Sequence, residues 1–168
     1  ELFTKGQITL EENHFSRVER TLSSLKLDSS KESVIRFKET YQYVMDHIEL
    51  DKDWHSFFDK VTSHSTLVLL TNGPMIHQSK KITSLGLKKW FDSSRIFISE
   101  ATGVPKPQAE AFKNVEQLFP DVNTNDFWMI GDDLVNDIEG AQNRNWNTIY
   151  FKYGVEKSDV NPKPLQSP

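Results

Sequence analysis

The chain has 168 residues, 36% hydrophobic and 26% charged, with a net charge of −4, enough for one domain with a real core or a small core plus an appendage. That charge leaves no excess of cations to neutralise a phosphate backbone, which argues against a nucleic-acid partner. Cysteine is absent, so disulfide scaffolds and thiolate metal sites are excluded. No apolar run approaches the length of a membrane span, and Glu1–Lys5 lacks the features of a signal peptide. A cytoplasmic protein without membrane association is the expectation.

In chain order, the first third reads as helices only. Thr9 with Glu12, and Ser29 with Glu32, have the spacing of capping boxes. Phe15, Val18, Leu22 and Leu25 then recur at helical spacing, as do Val34, Phe37, Tyr41, Met45 and Ile48. A third helix is expected from Asp51, with Trp54, Phe57, Phe58 and Val61 on its apolar face. From residue 66 the pattern changes. Thr66–Leu70 is a short continuous apolar run of the kind that forms a strand buried on both faces. Three more runs follow, Arg95–Ser99, Asp126–Ile130 and Thr148–Phe151, separated by helical stretches at Met75–Leu85, Pro107–Phe119 and Leu134–Asn143. Alternating strands and helices imply βαβ units and an α/β fold with a doubly wound, mostly parallel sheet in three layers. The expected division is a helical segment over 1–64 and an α/β core over 65–168. The tail from Lys157 to Pro168 is polar, contains three prolines and is expected to be irregular.

Ligands of open α/β sheets bind beyond the carboxyl ends of the strands, so the residues after each strand carry the functional argument. After the first come Thr71-Asn72-Gly73, a hydroxyl beside a turn whose backbone N–H groups could cradle phosphate oxygens. Alone, the same triplet reads as a plain turn. Next comes Gly103-Val104-Pro105-Lys106-Pro107. With Pro107 at the first helical position, Lys106 would sit at a helix start, where the dipole disfavours a cation unless an anion neutralises it. After the third strand come Gly131-Asp132-Asp133-Leu134-Val135-Asn136-Asp137. Three carboxylates so close repel one another unless a cation sits among them. Oxygen ligands select a hard ion, and Mg²⁺ suits few carboxylates plus phosphate and water. Asp133 could also be a helix cap and nothing more, but the metal reading of the cluster stands above that one. The five histidines lack metal-ligand spacing.

These residues resemble the haloacid dehalogenase superfamily, over about Ser65–Phe151. The strand ending Leu70-Thr71-Asn72-Gly73 is similar to its second motif and Lys106 in Gly-Val-Pro-Lys-Pro to its third. Gly131-Asp132-Asp133 through Asp137, followed by Ile138-Glu139-Gly140-Ala141, is similar to its fourth. The helical first third resembles the family's α-helical (C1-type) cap. The resemblance implies a Rossmann-like core and a Mg²⁺-dependent phosphatase of small phosphorylated metabolites, nucleotide or sugar phosphates, working through an aspartyl-phosphate. In that scheme Thr71, Asn72 and Gly73 hold phosphate oxygens, Lys106 neutralises phosphate and nucleophile, and Asp132 binds the metal. Asp137 supports the metal through water or orients Lys106, and Asp133 is a further candidate ligand.

The family's first motif, Asp-x-Asp on the central strand, has no match here. Asp51-Lys52-Asp53 has no apolar strand before it and reads as the start of the third helix. The nucleophile is therefore expected outside this chain, which would be part of a longer one and inactive alone. A non-catalytic phosphate- or metal-binding remnant remains the alternative, along with a mutase or dehalogenase of the same superfamily. A response-regulator receiver fits less well, because its acid pair comes first and its lysine last.

Overall fold

The computed structural model describes residues 9–152. Glu1–Lys5 and the tail from Lys157 lie outside the described residues. The chain forms two compact units, one reaching to His64 and including Ser79–Lys89, the other containing Ser65–Gln78 and the described residues from Trp90 onward.

The first unit is helical: α1 spans Leu10–Ser24, α2 Lys31–Asp46 and α3 Lys52–Val61. Thr9 starts α1 with a complete capping box, its hydroxyl accepting the Glu12 N–H at 3.1 Å while Glu12 accepts the Thr9 N–H at 2.8 Å. Three residues closing α1 form a Schellman turn, with Lys26 at φ 57° and its N–H donated to the Ser23 carbonyl. The start of α2 differs from expectation. Its cap is Ser30 rather than Ser29, because Asp28 draws in the Ser30 N–H at 2.9 Å and the Ser30 and Ser33 hydroxyls. Asp51 caps α3 through the Asp53 N–H at 2.8 Å, so Asp51-Lys52-Asp53 does open a helix. Leu22 and Val34 are buried where α1 and α2 pack, whereas Phe37 and Tyr41, expected on the buried face, are about half exposed. Within this unit Asp46 receives Lys80 and, on its carbonyl, the Ser84 hydroxyl.

The second unit is α/β with parallel strands. Its elements are β1 (Leu69–Thr71), β2 (Ile96–Ile98), α5 (Ser99–Thr102), α6 (Ala109–Glu116), β3 (Trp128–Gly131), α7 (Gly140–Gln142) and β4 (Asn147–Tyr150). Helix α4 (Met75–Ser84) follows β1. Among the described residues the strands form two parallel two-stranded ladders, β1 with β2 and β3 with β4, in place of one continuous sheet. Leu70 lies opposite Phe97, and Ile130 opposite Ile149. Both ladders pack on one core of Ala111, Phe112, Val115, Ala141 and Trp146, reached by Leu70 and Phe97 from the first ladder and Met129 from the second. Phe112 meets Trp146 edge-on at 5.3 Å, and Phe127 stacks on Trp146 at 4.9 Å, offset and edge geometries that suit aromatic quadrupoles. Glu116 holds this corner, accepting two hydrogen bonds from Arg144 and one from the Trp146 indole. On β3, Trp128 and Ile130 remain exposed, so one face of that strand is uncovered. No helix among the described residues is long and apolar enough to cross a membrane.

Candidate active site

The carboxyl ends of β1 and β3, and the loop after α5, converge on Lys106. Its side chain is 9% exposed, and its ammonium donates to Asp137 Oδ1 at 2.6 Å and to the Leu70 carbonyl of β1 at 2.9 Å. An ammonium has three donors, so one has no partner among the described residues. Lys106 was expected at a helix start with an anion to neutralise it. The anion is the Asp137 carboxylate, but the helix position was wrong. The Lys106–Pro107 bond is cis, and α6 begins only at Ala109 after Gln108, so Pro107 belongs to the turn and not to the first helical turn.

The acid cluster sorts into three roles. Asp133 caps the turn that follows it, one carboxylate oxygen accepting the Val135 and Asn136 N–H groups at 3.0 and 2.8 Å and the other the Asn136 amide at 2.6 Å. Those hydrogen bonds, the Asn136 N–H first, lower its pKa below the usual carboxylate value. Leu134–Glu139 is a wide π turn where a plain α-helix was expected. Both Asp137 and Ile138 donate to the Asp133 carbonyl, at 2.9 and 3.2 Å. This widening swings Asp137 back beneath the strand end, where its second oxygen accepts the Asp133 N–H at 3.1 Å. Such single π turns recur at functional sites. Gly131 makes room for it: a Cβ there would lie 2.5 Å from the Asp137 Cβ and Cγ. Asp132 is exposed, and its carboxylate has no hydrogen-bond partner among the described residues.

At the end of β1, the Thr71 hydroxyl donates to Gln78 Oε1 at 3.2 Å, and Gln78 Nε2 donates to the Asn72 carbonyl at 3.1 Å. Gly73 has φ 140°, a conformation open to glycine alone without strain. Its N–H donates to Ser99 Oγ at 2.9 Å, and Glu100 accepts the Met75 N–H at 2.6 Å at the start of α4. The Asn72 side chain bonds the main chain of Lys106 from both sides. Gln78, Ser99 and Glu100 were not foreseen; they are ordinary polar residues at helix starts, and only the meeting of two loops gives them a role. Thr71, Asn72, Lys106 and Asp137 are therefore joined by hydrogen bonds, directly or through Gln78, while Gly73 is tied to Ser99. Asp132 and Asp133 follow in sequence on the β3 end.

No group of three or more His, Asp or Glu side chains among the described residues converges as a metal cage. Asp137 and Asp133 spend their oxygens on Lys106 and on N–H groups. Asp132 alone keeps both oxygens open, which suits Mg²⁺, an ion that commonly takes one or two carboxylates and fills its shell with water and phosphate.

A family model described as HAD-hydrolase-like matches residues 103–168. The chain is 36% identical over 88 residues to a glyceraldehyde 3-phosphate phosphatase of Pyrococcus abyssi, covering 52% of this chain and 36% of that protein. It is 30% identical over 98 residues to the pyrimidine 5'-nucleotidase PynA of Streptococcus pneumoniae, covering 58% of this chain and 40% of that protein. The crystal structure of the HAD-hydrolase YfnB of Bacillus subtilis bound to magnesium superposes with a TM-score of 0.66 at 25% identity, over 92% of this chain and 68% of that one. The chain is thus similar to hydrolases of the haloacid dehalogenase superfamily, in sequence over about half of its length and in fold over most of it. It spans little more than a third of the length of the curated relatives it matches.

Proposed function

We propose that the protein containing this chain is a Mg²⁺-dependent phosphatase of small phosphate monoesters, working through an aspartyl-phosphate formed on a carboxylate outside the chain. The observation that carries this is the buried Lys106–Asp137 pair at 2.6 Å, tied to the β1 end beside Thr71 and to the β3 end beside Asp132. A buried ammonium at a strand end, with one donor unpartnered among the described residues, is built to meet an anion. The named activities of the Pyrococcus and Streptococcus relatives support phosphate monoesters as the substrate class.

In this reading Thr71 turns its hydroxyl from Gln78 to a phosphate oxygen, and the third Lys106 donor takes another. Asn72 and Gly73 offer backbone N–H groups, Gly73 by exchanging its bond to Ser99. Asp137 holds the Lys106 side chain in place. Asp132 would hold the Mg²⁺, with water completing its shell. Bound there, the ion would neutralise charge on the phosphoryl oxygens during transfer. Positioning and charge neutralisation account for most of the catalysis in such reactions. The helical unit takes the place of the family's cap.

The test is hydrolysis of p-nitrophenyl phosphate by the full-length native protein with and without Mg²⁺, alongside its intact mass. Turnover that needs Mg²⁺ and falls by about 10² or more in Asp132→Ala is expected. A full-length protein that binds phosphate but never turns it over would replace the enzyme with a binding protein.

A further inference from the structure

We infer that the Asn72 side chain is a positioning residue for Lys106, and that β1 holds this lysine at both ends. This rests on the phosphatase reading for its catalytic consequence, though not for its geometry.

Asn72 Nδ2 donates to the Lys106 carbonyl at 2.9 Å, and the Lys106 N–H donates to Asn72 Oδ1 at 2.9 Å. The two bonds use both ends of one carboxamide on both main-chain groups of one residue, 34 positions away in sequence. Two residues earlier on the same strand end, the Leu70 carbonyl accepts the Lys106 ammonium at 2.9 Å. The lysine thus lies stapled along the end of β1, its backbone fixed by Asn72 and its head by Leu70, with Asp137 closing the arrangement from the other ladder.

A lysine side chain has four rotatable bonds, so fixing the head alone leaves the main chain free to drift. The loop carrying Lys106 has no regular structure of its own between Gly103 and Gln108, and Asn72 ties both of its Lys106 main-chain groups to a strand. Other residues do not fit the role. Aspartate of the same shape supplies the acceptor for the Lys106 N–H but no donor for its carbonyl. Serine and threonine are too short to span both groups. The adjoining turn keeps the carboxamide in place, since Gln78 bonds the Asn72 carbonyl at 3.1 Å and Ser99 the Gly73 N–H at 2.9 Å. Asn72 therefore acts through Lys106, and its side chain is not a phosphate ligand.

Two readouts on the full-length protein test this. The first is the acetylation rate of each lysine under trace labelling, read by peptide mass spectrometry. Asn72→Ala is expected to speed acetylation of Lys106 by about tenfold, the scale of the hydrogen bonds removed, and to leave Lys113 unchanged. The second is steady-state hydrolysis of p-nitrophenyl phosphate. Asn72→Ala is expected to lower kcat about tenfold or more with KM within about threefold, since the lysine serves the transition state more than the bound ester. Asn72→Asp, which preserves volume and one of the two bonds, falls between wild type and Asn72→Ala on both, and stands in if the alanine variant does not fold. An unchanged Lys106 rate, or Lys106 and Lys113 speeding up together, overturns the positioning role. If the wild type does not hydrolyse the ester, the labelling alone decides the positioning role, and only the phosphatase reading is lost.

Discussion

Replacing Asp137 with alanine removes the carboxylate that neutralises Lys106. Both side chains are less than a tenth exposed, at 9% and 7%, and their charged atoms stand 2.6 Å apart. Water cannot take over the role of the missing carboxylate at such burial. The Leu70 carbonyl remains as a dipole partner but carries no charge. Stripping one member from a buried ion pair typically costs about 3–5 kcal/mol. The Asp133 N–H would lose its acceptor too, adding about 1 kcal/mol at most where water does not replace it. The expected loss for Asp137→Ala is therefore about 3–6 kcal/mol, most of it the cost of an orphaned charge. That source can be tested apart from the magnitude. Lys106→Met removes the orphan, so the double variant Asp137→Ala/Lys106→Met should lose less than the two singles summed, by about 2 kcal/mol or more. The assay is equilibrium unfolding in guanidinium chloride, with slopes compared to confirm that the variants unfold over the same surface. A cost below about 1 kcal/mol for Asp137→Ala, or a cycle additive to within about 0.5 kcal/mol, would refute the claim that this pair is buried and coupled.

Gly140→Ala places a Cβ 2.7–2.8 Å from the Phe112 ring and 3.2 Å from Pro107. Alanine favours a helical position by about 1 kcal/mol over glycine, but Phe112 is fully buried and overpacking costs about 1–3 kcal/mol, so a net loss of about 1 kcal/mol is expected by the same unfolding assay. At Glu116, burial pushes the carboxyl pKa up, but hydrogen bonds from Arg144 and Trp146 outweigh it and leave the pKa below its usual 4.5. A depressed pKa stabilises the fold above the unfolded value and loses that stabilisation as pH falls through the folded one. Glu116→Gln should therefore cost about 1–2 kcal/mol at pH 7, and the gap to wild type should narrow as pH drops below about 4. A gap of constant size across that range would show that charge plays no part.

Periodicity carried the helices well, because a buried stripe and a cap are both local signals. Thr9 and Glu12 lie three residues apart, and their box needs nothing else. Ser29 failed at that task because the competitor was Asp28, whose reach across five residues to Ser33 is not visible in the spacing of serine and glutamate. The strand ends were legible as a set, since apolar runs followed by polar turns mark them. The roles within the set were less so. Asp132, Asp133 and Asp137 are the same residue type, and only the π turn decides that one caps, one pairs with lysine and one stays open. That turn depends on two N–H groups sharing one carbonyl, a choice no propensity scale encodes.

The lysine shows where sequence reasoning reached furthest and where it stopped. A cation placed against the helix dipole demanded an anion, and the demand was sound even though the helix starts two residues past Pro107. The anion came from 31 residues away and the main-chain clamp from 34 away in the other direction. Both distances are closed by the common core, since Phe112 and Ala141 bring the second ladder to the same helix that follows Lys106. The electrostatic need is written locally, while the groups that meet it are chosen by packing. An unmet charge at a strand end, noticed before any partner is known, is therefore the more informative observation, because it says that a partner must exist and what its charge must be.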